Sequence, residues 1–415
     1  MILLIVILFI ELFLIKRIVK FYLLSQIHLY LLFYIISISL SVVYYYFYDY
    51  KISLFDLDSI QSKFFLEAIK FHILGLVAFC FGVLIYYDFV SKKTKRFFNQ
   101  SFSKVLFVKY KLPNKINGVL ISLFVIIIIL YGLTYGSQIF YRETYLIDKS
   151  RTLQTLNKLL GFVSTVLLAM LFDKKKLLSI LAFLVILIFA TGTGSRISFL
   201  YLVIYVILIF QSKGDTLRNK ITLFANLIVA FFFLSYIMTL RGLESHGIYP
   251  YISSLFSAQN KLYDSIKFNV YYSFIFGVFV SAKTMVLNES NWGNIIVSLN
   301  PLTGNIAGWY DIAGKMRIYP IVPYSSNGEV FTMGYFFTFI FYSILGCIVA
   351  YFDFKTRLFF SMGKRMQGFL VVILFVMYIV YSFEYNLRSS FRYIYYTYIL
   401  LLFLKLRIRK TKNVN

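Results

Sequence analysis

The chain has 415 residues, of which 60% are hydrophobic and only 14% are charged. Soluble domains carry about 25% charged residues, so this composition excludes a soluble enzyme, a disordered chain and a disulfide scaffold. It predicts an all-α polytopic membrane protein. The two cysteines and three histidines are too few for a disulfide framework or a His-rich metal centre.

Apolar runs predict the transmembrane helices, because a spanning helix needs about 20 mostly apolar residues. Eleven runs qualify, and the count could be ten to twelve because the first run is short and contains Glu11. In chain order the runs lie near residues 1–15, 28–48, 66–87, 117–136, 155–172, 177–193, 196–211, 220–240, 331–352, 367–383 and 390–405. Little more than Thr191 to Arg196 separates the sixth and seventh runs, which predicts a tight helical hairpin.

Positive charge is concentrated in alternate loops, which hold 26 of the 42 Lys and Arg residues but only 4 of the 17 acids. The positive-inside rule makes these loops cytoplasmic. This places the N-terminus outside and the basic C-terminal tail inside. The net charge of +25 therefore indicates topology and attraction to anionic membrane lipid, and it does not imply nucleic-acid binding.

A large outer loop, residues 241–330, separates helices one to eight (1–240) from helices nine to eleven with the tail (331–415). The loop contains four of the five prolines and both tryptophans, which predicts turns and irregular structure. Its one apolar stretch, residues 268–282, is short, so an interfacial or re-entrant helix is favoured over a span. Because loops on a rigid scaffold often carry function, we expect the site where this loop meets the outer helix ends.

Arginine is suited to bind an anionic group at that face, since its planar guanidinium makes paired hydrogen bonds to phosphate. The candidates for substrate binding lie at outer helix ends or in the loop: Arg196, Arg241, Arg317, Arg388 and Arg392. The alternative is that these arginines merely extend toward the lipid headgroups.

Three acid–base residues complete the candidate site. Glu244 and His246 follow Arg241 within six residues, and either could deprotonate a sugar hydroxyl. The alternative is that both are solvated loop residues. Glu329 is a further candidate for substrate binding, although a carboxylate at a helix N-terminus also has a structural role. His72 lies within a span, and we interpret it as structural.

Three short motifs carry a resemblance to a known family. They are Thr193-Gly194-Ser195-Arg196, the Arg241-Gly242 pair, and the run from Pro320 through Pro323 to Glu329. With about eleven spans and one large outer loop, this arrangement resembles the Wzy-type oligosaccharide repeat-unit polymerases of bacterial O-antigen and capsule pathways. The resemblance in architecture covers nearly the whole chain.

The resemblance implies a GT-C-like membrane glycosyltransferase in the bacterial inner membrane, with no metal and no cofactor. The donor would be a glycan on undecaprenyl pyrophosphate, and the acceptor a lipid-linked repeat unit. The product would be lipopolysaccharide O-antigen or capsule. Arg196 and Arg241 would bind the pyrophosphate, and Glu244 or His246 would be the base. A flippase and a chain-length regulator would be partners.

Two other functions stay open on the sequence. An O-antigen ligase would use the same arginines but transfer the glycan to the lipid A core. A lipid-linked oligosaccharide flippase, or another transporter, would place charges inside the spans along a pathway. The central runs 117–136 and 177–193 contain no Asp, Glu, Lys or Arg, which favours surface chemistry over transport.

Overall fold

The computed structural model describes residues 1–22, 24–48, 60–99, 116–144, 151–195, 197–212, 217–240, 243–255, 262–288, 291–319 and 322–412. Over these residues the regular structure is helical, apart from one short antiparallel pair of strands and one isolated bridge between Arg142 and His246. It divides into two units, unit 1 (residues 1–102 and 270–415) and unit 2 (residues 103–269). Unit 1 therefore combines the two ends of the chain, and unit 2 is its middle part.

The elements follow in chain order. Unit 1 begins with α1 (Ile2–Ile18), α2 (Gln26–Phe47), α3 (Ser62–Phe89) and α4 (Lys92–Asn99). Unit 2 follows with α5 (Ile116–Tyr135), α6 (Arg151–Leu171), α7 (Lys176–Gly192), α8 (Ile197–Ser212), α9 (Leu217–Thr239), α10 (Ile248–Leu255) and α11 (Leu262–Val270). Unit 1 then resumes with α12 (Phe276–Leu287), α13 (Trp292–Leu299), α14 (Trp309–Ala313), β1 (Arg317–Tyr319), β2 (Val322–Pro323), α15 (Ser326–Phe331), α16 (Gly334–Ser361), α17 (Arg365–Glu384) and α18 (Leu387–Lys412).

Eight of the described helices are long and apolar enough to cross a membrane, which confirms the class of all-α polytopic membrane protein. Seven of them coincide with predicted spans. The eighth, Tyr263–Leu287, is a continuous helix with one wide turn at Tyr271–Ile275. It is longer than the interfacial helix expected at 268–282, because it continues through Asp264 and Lys267. Two further apolar helices, Lys176–Gly192 and Ile197–Phe210, are shorter.

The closest helix contact of unit 1 joins α3 to α16. A Cβ atom on Gly82 would lie 1.9 Å from the Ser343 carbonyl oxygen, and one on Gly346 would lie 2.2 Å from that of Phe79. Glycine is therefore required at both positions. Small residues at a helix contact let the two backbones approach closely, which is a common means of packing helices in membranes.

A fully buried ion pair anchors the other end of α16. Arg357 Nε lies 2.6 Å from the Asp353 carboxylate, and neither side chain is exposed. The guanidinium also donates to the carbonyl oxygens of Lys20 and Phe98, and Asp353 accepts the backbone N–H of Gln26. These bonds compensate the cost of burying the two charges. They tie the ends of α1 and α4 and the start of α2 to α16.

Candidate functional site

The run that closes the predicted outer loop forms the short helix α15, packed inside unit 1. Ser325 caps this helix, since its hydroxyl accepts the Gly328 N–H at 2.9 Å. Every residue of α15 is buried. A Cβ on Gly328 would lie 2.6 Å from Thr284 Cβ, so α15 lies directly against α12. Part of the motif that ends at Glu329 is thus a packed helix, where the sequence predicted turns and irregular structure.

Glu329 is the central residue of this helix. Its carboxyl is fully buried and accepts two hydrogen bonds, from the Leu387 backbone N–H at 3.1 Å and from the Ser298 hydroxyl at 3.3 Å. Burial raises the pKa of Glu329 to about 8, although both hydrogen bonds lower it. At neutral pH the carboxyl is therefore mostly protonated. It links α15 to the end of α13 and the start of α18.

Arg388 follows Leu387 and is also buried. One guanidinium nitrogen donates to the carbonyl oxygens of Val297 at 2.8 Å and Asn300 at 3.0 Å, and the other donates to that of Leu302. These acceptors lie at and just after the end of α13, where backbone carbonyls lack partners within the helix. Arg388 therefore caps α13, and only its Nε–H has no acceptor among the described residues. This arrangement fits a positioning residue better than the phosphate ligand expected from the sequence.

Arg392 lies one turn along α18 from Arg388, on the same helix face. Its side chain is partly exposed, and within the described ranges no carboxylate lies at ion-pair distance from it. The two arginines are close enough for their charges to interact. Arg317 lies on β1, where its side chain is exposed and its backbone pairs with Pro323. Arg392 is thus the cation best placed to receive an anion at this end of α18.

His246 belongs to unit 2 and forms part of a buried cluster. Its backbone exchanges two hydrogen bonds with Arg142, at 2.8 and 2.7 Å. Its Nδ1 lies 3.2 Å from the Tyr251 hydroxyl, and the Arg142 guanidinium donates to the Gly192 carbonyl at 2.8 Å. Burial, and then the charge of Arg142, lower the pKa of His246. The imidazole is enclosed, whereas Glu244, two residues earlier, is exposed.

Arg196 and Arg241 lie outside the described residues, so their proposed contacts with pyrophosphate stay predictions. The turn before Arg196 is described. Gly194 has a positive φ of 71°, and its N–H donates to the Thr191 carbonyl at 2.7 Å. The glycine allows the chain to leave α7 in a left-handed conformation. α8 follows at Ile197, as the predicted helical hairpin requires.

A cluster of buried polar side chains near Glu329 was not predicted from the sequence. The Tyr34 and Tyr342 hydroxyls both donate to Asn327 Oδ1, at 2.8 and 2.7 Å. His72 is fully buried, with its ring 4.8 Å from that of Phe331, and neither ring nitrogen has a partner in the described part of the chain. Nothing in the sequence marks these two tyrosines among the 36 present. The group holds α15 between α2, α3 and α16.

Comparison of the chain with family models, with curated proteins and with solved structures finds no match. Across the described ranges, no three His, Cys, Asp or Glu side chains converge as a metal site would require. The function is therefore inferred from the motifs and from the geometry around Glu329.

Proposed function

We propose that this chain is a Wzy-type oligosaccharide repeat-unit polymerase. It would join undecaprenyl-pyrophosphate-linked repeat units into O-antigen or capsular polysaccharide at the outer face of the bacterial inner membrane. The proposal includes a GT-C-like architecture with about eleven spans, needing no metal. It also includes a flippase and a chain-length regulator as partners.

One observation carries the proposal. Arg392, which has no acidic partner among the described residues, lies beside Arg388 at the start of α18, where the Glu329 carboxyl accepts the Leu387 N–H. Breaking the bond between a sugar and pyrophosphate develops negative charge on the leaving group. Fixed cations stabilise such charge in the transition state. The motif that carries the family resemblance is therefore packed against the helix that presents this cation.

The proposed reaction assigns a separate role to each residue. The acceptor's sugar hydroxyl attacks the anomeric carbon of the donor, the bond from that carbon to the pyrophosphate oxygen breaks, and the hydroxyl proton passes to a base. Arg196 and Arg241 would neutralise the departing pyrophosphate, as the family resemblance implies. Arg392 would bind a phosphate of a lipid-linked substrate. Glu244 is the preferred base, because it is exposed while the His246 ring is enclosed. Glu329 and Arg388, as buried residues, would position α18.

The direct test uses the purified full-length chain with lipid-linked repeat units, and follows the glycan products on a gel. The wild-type protein should produce a ladder of polymer. Arg392→Gln should abolish the ladder and leave thermal unfolding unchanged. Arg392→Lys should restore only part of it, because lysine lacks the two-pronged guanidinium.

Arg218→Gln is the matched control, since Arg218 is an exposed arginine at the opposite predicted side, and it should polymerise like the wild type. A normal ladder from Arg392→Gln would remove that arginine from the site. A wild-type protein that transfers preformed glycan to a lipid A core, and makes no polymer, would instead indicate a ligase.

A further inference from the structure

Exposed positive charge is concentrated at the end of α1 and on α4. Five cations define this basic patch, and all are exposed: Lys16, Arg17, Lys20, Lys92 and Arg96. Lys16 and Arg17 lie in the last turn of α1. Lys92 and Arg96 lie one turn apart on α4, so they share a helix face.

Backbone hydrogen bonds hold the two segments of the patch together. The Lys20 N–H donates to the Phe98 carbonyl at 2.9 Å. The buried Arg357 guanidinium donates to both chain segments, to the Lys20 carbonyl at 3.0 Å and to the Phe98 carbonyl at 3.3 Å. Because Arg357 is itself fixed by Asp353, the spacing between the two basic segments is set by a rigid core.

Among the residues that the structure describes, no acid balances the charge of the patch. The nearby acid Asp88 is exposed, and its carboxylate lies 3.7 Å from Lys95, which is not a member of the patch. No carboxylate of the described residues is at ion-pair distance from the five cations. Holding like charges together without a counter-ion is unfavourable, and this favours an external anion.

Apolar side chains flank the patch. Phe21 follows Lys20 and is 60% exposed, and Phe89 precedes α4 and is 87% exposed. In a protein with membrane-spanning helices, exposed aromatic side chains beside cations are typical of the boundary between acyl chains and headgroups. The anion expected at that depth is the phosphate of a lipid.

We propose that the basic patch binds the phosphate groups of anionic phospholipids in the leaflet that the positive-inside rule makes cytoplasmic. The five cations attract the phosphodiester, and Phe21 and Phe89 contact the upper acyl chains. The binding anchors the inner ends of α1 and α4, which are already joined to α16 through Arg357. This site is separate from the one at Glu329 and does not depend on the proposed polymerase activity.

The experiment measures lipid bound to the purified full-length chain by native mass spectrometry, during titration with phosphatidylglycerol or with phosphatidylcholine. The wild-type protein should prefer phosphatidylglycerol. The triple variant Lys16→Gln/Arg17→Gln/Arg96→Gln should bind it roughly 100-fold more weakly, because each cation near an anionic surface strengthens binding about five-fold. The double variant Arg17→Lys/Arg96→Lys keeps the charge and should retain the preference.

The control variant Lys174→Gln/Lys175→Gln/Lys176→Gln removes the same charge from another exposed loop on the same predicted side. It should weaken binding far less than the patch variant does, and thermal unfolding should match in all variants. Equal weakening in both triple variants would overturn the proposal, since it would show only non-specific attraction. Binding of inorganic phosphate with no preference for phosphatidylglycerol would overturn it as well.

Discussion

The Glu329 carboxyl accepts a hydrogen bond from the Leu387 backbone N–H at 3.1 Å. Leu387 is the first residue of α18, where backbone N–H groups have no acceptor within the helix. The buried Glu329 carboxyl thus accepts a hydrogen bond from a backbone N–H at the start of the helix that carries Arg388 and Arg392. The protonation state of Glu329 and the position of these arginines are consequently linked.

Stability should depend on pH through Glu329. Its pKa is raised from the ordinary value of 4.5 to about 8, so the folded state binds more protons than the unfolded state between these values. Stability therefore falls as pH rises through this window and levels off above it. Thermal unfolding measured against pH should show the fall in the wild-type protein and a smaller one in Glu329→Gln. Identical pH profiles would refute the role of Glu329.

Substitution of Arg388 should lower stability, whereas substitution of Arg392 should lower activity. Arg388→Ala leaves three carbonyl oxygens without their charged donor and should cost about 3 kcal/mol or more of unfolding free energy. Arg392→Gln should leave unfolding unchanged and abolish polymer formation. Denaturant unfolding and product ladders of the two variants test this. Similar unfolding curves for both would contradict the capping role of Arg388.

The buried pair Asp353–Arg357 should be essential for folding of unit 1. Asp353→Asn leaves the Arg357 guanidinium buried without its counter-ion and should cost about 3–5 kcal/mol. Asp88→Asn removes an exposed partner of Lys95 and should have almost no effect, because solvent screens such pairs. Denaturant titration of the two variants gives the comparison. A tolerated Asp353→Asn would show that the cluster is dispensable.

Tyr34 and Tyr342 should be energetically coupled through Asn327. Both hydroxyls donate to the same amide oxygen, so either Phe variant leaves one hydrogen bond and should cost about 1 kcal/mol. The double variant leaves that buried oxygen without either tyrosine donor and should exceed the sum by about 0.5 kcal/mol or more. A double-mutant cycle by denaturant unfolding measures the coupling. Strict additivity would mean that the two bonds act independently.

An added methyl group at the contact between α3 and α16 should destabilise the protein. Gly82→Ala and Gly346→Ala place Cβ against backbone carbonyl oxygens, which overpacks the contact and should cost about 1–3 kcal/mol each. Gly132, on α5, has open space around its Cβ position. Gly132→Ala should be neutral or stabilise by up to about 1 kcal/mol, as alanine favours helix. Equal effects at all three positions would argue against close helix packing.

The sequence predicted the long apolar helices well, because a run of about 20 apolar residues is typical of a membrane-spanning helix. It underestimated the helix Tyr263–Leu287, since Asp264 and Lys267 interrupt the apolar run without ending the helix. It also missed the antiparallel pairing of β1 and β2. Whether so few residues form a strand pair depends on the packing around them, which the local sequence does not show.

The candidate site was predicted only in part. Glu329 was identified at the start of a span, but its burial depends on Ser298 and Leu387, which are distant in sequence. Arg388 was expected at a lipid phosphate, because its charge stands at a helix end. Its carbonyl partners lie 86 to 91 residues earlier, and no local pattern reveals them. Long-range packing of this kind cannot be read from apolar periodicity.

The most direct test of the central claim is the surface-glycan profile of a strain that lacks this protein, compared on a gel with the complemented strain. Polymerase activity predicts that the ladder collapses to a single repeat unit on its acceptor, and that complementation restores it. An unchanged ladder would contradict the proposal. So would loss of all surface glycan with lipid-linked units accumulating inside the cell, which would indicate a flippase.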